Sequence, residues 1–115
     1  MEKDQAKNLK LKYKQVQRLY KEYNSYVKEV NKIQEKLIKE KECEVEDYYI
    51  NKTNEYLQES ESTRNAVKLK LRSYLDELMT QISEINDNTL KESEDFKSAT
   101  DLISTCEEIF SKDTN

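Results

Sequence analysis

Across its 115 residues this chain has neither a glycine nor a proline. Glycine serves left-handed turns and proline fixes others, so a chain without either has few tight turns or hairpin loops. It has little reason to leave the helical basin, and the expected fold class is all-α. Charged residues make up 38% and hydrophobic residues 35%, a balance near that of disordered chains. The apolar residues are periodic, however, and periodicity favours order.

The strongest period runs from Leu9 to Leu37. Leu9, Tyr13, Val16, Tyr20, Tyr23, Val27, Val30 and Leu37 alternate steps of four and three, with Gln34 as the one polar miss. That is a heptad seam. Leu19, Tyr26 and Ile33 add a third column beside it, making the stripe wider than a two-stranded coiled coil requires. Asp4 is a candidate N-cap for this helix. The pattern continues on a rotated face through Ile38, Val45, Tyr48, Tyr49 and Tyr56, which reads as one long helix that bends or loosens around residues 39–47. A break at residues 51–54 is the competing boundary.

Between Leu57 and Ala66 there is no apolar residue, and Ser, Thr and Asn compete for backbone hydrogen bonds. This stretch is the expected turn, with Ser62 or Thr63 capping the second helix. Val67, Leu71, Tyr74, Leu75, Leu78, Met79, Ile82 and Ile85 then form an amphipathic face. Residues 86–89, all Asn, Asp or Thr, weaken it before Phe96, Ala99, Leu102, Ile103, Cys106, Ile109 and Phe110 resume the period. The expected architecture is therefore an elongated antiparallel two-helix hairpin forming a single domain over residues 1–115. Helix 1 covers about 5–57, the turn about 58–62 and helix 2 about 63–111, with a kink near 86–95. A separate third helix is the alternative to that kink.

Charge supports folding back near residue 60. Residues 1–21 carry seven basic and two acidic side chains, and residues 92–113 the reverse. The hairpin would place these blocks side by side, although exposed pairs contribute only about 0–1 kcal/mol each. A rod of two helices has no closed core, so Leu19, Tyr26 and Ile33 on helix 1 and Leu75, Met79 and Ile82 on helix 2 are left as candidate partner-binding residues.

Chemistry is scarce. With no histidine and no glycine, the commonest general base and metal ligand is missing, as are phosphate-cradling loops. Glu44 with Asp47 and Glu92 with Asp95 have helical spacing, but a solvated face accounts for them better than a metal or acid/base site does. No cofactor, metal or catalytic residue is expected, and the chain is not expected to be an enzyme. Cys43 and Cys106 fit no metal spacing and are expected as free, half-buried thiols. The longest apolar run is Tyr48, Tyr49 and Ile50, too short for a secretory signal or a membrane span, which points to a cytoplasmic protein without membrane insertion. Lys3, Lys7, Lys10 and Lys14 line one helix edge, yet a net charge of −4 argues against nucleic acid.

A glycine-free helical hairpin of this length, with a polar mid-chain turn and surplus apolar faces, resembles the small helical partner proteins of bacterial type VII secretion. It is most similar to the accessory targeting factors of LXG toxins in Gram-positive bacteria. The Trp-x-Gly turn of the WXG-type hairpins is absent. Their export signal, Tyr or Phe followed four residues later by Asp or Glu, is also missing: Phe96, Phe110 and Tyr74 are followed at that distance by Thr100, Thr114 and Leu78. The resemblance implies a targeting factor or chaperone that lacks its own signal. It would bind the N-terminal domain of an LXG toxin beside a second small helical factor and be co-exported with a partner. The alternative is a self-associating structural coiled coil, as a homodimeric spacer or phage assembly factor.

Overall fold

The computed structural model describes residues 2–112, with side chains from Asp4 onward. Every element among them is helical: α1 is Glu2–Glu42, α2 Asp47–Ser83, α3 Asn88–Lys91 and α4 Glu94–Ser111. The all-α expectation stands, but the two-helix hairpin gives way to three long helices and a single helical turn. Asp4 lies inside α1 rather than capping it.

The reversal expected at residues 58–62 occurs instead at residues 43–46. Helix α1 ends in a Schellman arrangement: the Val45 N–H donates to the Glu40 carbonyl at 3.1 Å and the Glu44 N–H to that of Lys41 at 3.4 Å. This geometry needs a left-handed residue, ordinarily glycine. Here Glu44 takes it, at φ 54°.

Residues 58–62 lie in the middle of α2. The polar stretch stays helical because its inward positions keep the seam spacing: Thr53, Leu57, Ser60, Arg64, Val67 and Leu71 follow steps of four and three, and Thr53 and Ser60 are buried. Thr63, expected as a cap, donates its hydroxyl to the Glu59 carbonyl at 3.0 Å, one turn back along the same helix.

The interruption near 86–95 creates a separate helix instead of a kink. Asp87 caps α3, accepting from the Thr89 and Leu90 N–H groups at 2.8 and 3.4 Å. Ser93 caps α4 by accepting from the Phe96 N–H at 3.2 Å. Glu94 and Asp95 then complement the positive end of the helix.

By backbone contacts the chain forms two compact units: residues 1–20 with 70–115, and residues 21–69. In the first, the start of α1, the end of α2 and α4 share a core with Leu9, Val16, Leu71, Leu75, Leu78, Ala99 and Cys106 at its centre. Lys12 pairs with Glu77 at 2.6 Å, joining α1 to α2, and the Arg72 guanidinium lies 5.0 Å from the Phe110 ring centroid, joining α2 to α4. Lys12, in the N-terminal basic block expected beside residues 92–113, makes its ion pair with α2. The second unit has two helical stretches, 21–42 and 47–69. Its interior holds Val30, Ile33, Leu37 and Val67 together with Thr53 and Ser60.

Both cysteines are free thiols; Cys106 is buried and Cys43 is exposed rather than half-buried. Burial pushes the Cys106 thiol pKa up to about 11. No helix among the described residues is long and apolar enough to cross a membrane.

Candidate protein-binding surface

The six residues expected to face a partner are mostly interior. Leu19, Ile33 and Leu75 are buried, and Tyr26, Met79 and Ile82 are half-buried. Two physical causes account for this. In the first unit α4 supplies a third helix, which closes the core over α2. On α1 the second seam column is Leu19, Tyr26 and Ile33 instead of Tyr13, Tyr20 and Val27, which are half-buried at the edge. A tyrosine at a seam edge buries its ring and keeps its hydroxyl in water, whereas leucine and isoleucine gain from full enclosure.

The exposed apolar surface lies elsewhere. In the second unit Ile38, Tyr48, Tyr49, Tyr56 and Leu69 are all more than half exposed, Leu69 reaching 73%. Seven of the chain's eight tyrosines lie in its first half, but which of them stay outside depends on where the chain turns. Tyr48 and Tyr49 stand at the start of α2 with ring centroids 5.3 Å apart, edge to face. The Lys52 ammonium lies 5.6 Å from the Tyr48 ring centroid and 3.6 Å from the Glu55 carboxylate.

Beside these rings an open groove of about 1020 Å³ runs between the two helical stretches of this unit. Ile33 and Thr53 form part of its floor, and Lys21, Lys28, Lys32 and Lys36 of α1 stand along it with Lys52 of α2. Tyr56 reaches across and donates its hydroxyl to Glu29 at 2.5 Å. That hydrogen bond to a carboxylate raises the Tyr56 pKa above its ordinary value.

Among the described residues no group of His, Cys, Asp or Glu is placed to hold a metal ion. The Lys3 side chain, part of the basic edge considered for nucleic acid, lies outside the described residues. An exposed aromatic surface of this kind suits recognition of another macromolecule.

A crystal structure described as tubulin folding cofactor A from Arabidopsis thaliana has the same fold, with a TM-score of 0.84. The two sequences are 24% identical, and the match covers 91% of this chain and 97% of the plant chain. No curated protein matches the chain in sequence. The family model for tubulin binding cofactor A matches residues 4–103, from the first turn of α1 into α4. This overturns the resemblance to type VII secretion factors, and with it the toxin-targeting function, the LXG toxin partner and the co-export, because that resemblance rested on helicity, length and composition, which unrelated helical bundles share. The chain belongs to the tubulin binding cofactor A family.

Proposed function

We propose that this protein binds tubulin as a folding cofactor, a cytosolic chaperone that acts by contact and not by catalysis. The observation that carries this reading is the family match over residues 4–103, which includes most of both compact units. The exposed rings of Tyr48, Tyr49 and Tyr56 support it, since tyrosine offers a flat apolar body with a polar rim and is enriched in protein interfaces. The second unit is the part proposed to meet the partner.

Size-exclusion chromatography with light scattering on the purified protein mixed with purified tubulin tests the proposal. A peak containing both chains, with a mass equal to their sum, is the expected result. Independent elution at micromolar concentrations, with tubulin either native or diluted from denaturant, would reject it.

A further inference from the structure

The groove of the second unit carries a charge opposite to that of the whole chain. Lys28, Lys32 and Lys36 follow one another at i, i+4 spacing along α1, and Lys21 precedes them by two turns. All four are exposed, and among the described residues none has a carboxylate within ion-pairing distance. Like charges at this spacing destabilise a helix, whereas Glu and Lys alternating at the same spacing would stabilise it. The ladder concentrates positive charge on one helix face, in a chain whose net charge is −4.

Geometry narrows the ligand. Successive lysines at 28, 32 and 36 are ~6 Å apart along the helix axis, close to the ~6.6 Å between alternate side chains of an extended polypeptide. From residue 21 to residue 36 the ladder spans ~22 Å, or about seven extended residues. Lys52 and Tyr56 on α2 face this line from the other side of the groove, and the Tyr56 hydroxyl holds Glu29, the carboxylate that lines it, which leaves the five lysines to set its sign. A flexible ammonium is a point donor that meets a carboxylate without demanding a fixed approach.

We infer that the groove between residues 21–36 of α1 and the start of α2 holds an extended, carboxylate-rich segment of the protein partner. This rests on the proposed tubulin binding for the source of the segment, and the charge complementarity of the groove carries the rest.

The test uses a fluorescein-labelled peptide of about ten glutamates, titrated by anisotropy against the full chain at low ionic strength. The wild-type protein is expected to bind it, to lose affinity as salt is raised, and to ignore a glutamine peptide of equal length. The Lys28→Gln, Lys32→Gln, Lys36→Gln variant should bind about ten-fold more weakly or worse while melting no earlier than wild type. A Lys10→Gln, Lys91→Gln, Lys97→Gln variant removes the same charge from the other unit and should change affinity by less than about two-fold. Equal losses in both triple variants would mean diffuse attraction and would overturn the assignment. So would tighter binding of a single-stranded RNA of equal charge.

Tubulin separates the two proposals. If wild type captures tubulin and the groove variant does so equally well, the groove assignment fails and the tubulin reading stands. If wild type does not capture tubulin yet binds the glutamate peptide through these lysines, the tubulin reading fails and the groove remains a site for an acidic segment.

Discussion

Glu44 holds the most constrained backbone in the described chain. At φ 54° its Cβ crowds the neighbouring carbonyl, a cost of about 1–2 kcal/mol that glycine avoids. Both hydrogen bonds of the helix end depend on that conformation, so the turn persists because the packing around it fixes the geometry. Glu44→Gly should therefore raise the unfolding free energy by about 1 kcal/mol after glycine's larger entropy loss is deducted. Urea denaturation followed by circular dichroism checks this, and an unchanged or lower midpoint would show that the glutamate is not strained there. The same residue explains why the turn was illegible. Reversals are recognised by glycine, proline or a polar run, and residues 43–46 offer none of the first two and are flanked by charges that suit a helix equally well.

Among the elements, α2 was hardest to read and α4 easiest. The α2 seam places Thr53, Ser60 and Arg64 at positions that a heptad period gives to apolar residues, so the apolar period stops where the helix continues. Small polar residues fit inward positions when the facing helix approaches closely, and mid-helix threonine can return its hydroxyl to the preceding turn, as Thr63 does. In α4 the apolar spacing from Phe96 to Phe110 was clear, and Ser93 is a strong starting residue. What the sequence left open was whether 86–95 is a kink or a boundary; the capping side chains of Asp87 and Ser93 make it a boundary. Ser93→Ala should destabilise the protein by about 1 kcal/mol, read as a lower urea midpoint at constant slope. No change would mean that the Phe96 N–H finds another acceptor.

For the whole molecule, the all-α class, the free thiols and the position of the buried α1 column Leu9, Val16, Val30 and Leu37 were legible, because a heptad period and the absence of glycine and proline each admit few solutions. The surface proposed to meet a partner was not. Which apolar column stays outside depends on how many helices share a core, and one misplaced turn moved every face with it. Only comparison with known proteins brought in tubulin, since a surface recognising one protein carries no residue code of the kind that marks a metal or a nucleotide site.

The two cysteines fall one in each compact unit, Cys43 in the second and Cys106 in the first, and this makes the chain its own pair of reaction clocks. At pH 8 an aromatic disulfide reagent should modify exposed Cys43 without waiting for any part of the chain to open. Cys106, enclosed and with its pKa pushed up to about 11, should wait for its unit to open, and the ratio of the two rates reports that opening equilibrium. The Ser93→Ala change should speed the Cys106 clock about five-fold, the equivalent of 1 kcal/mol, and leave the Cys43 clock where it was. An unchanged Cys106 rate would mean that the thiol is reached without opening at the Ser93 cap.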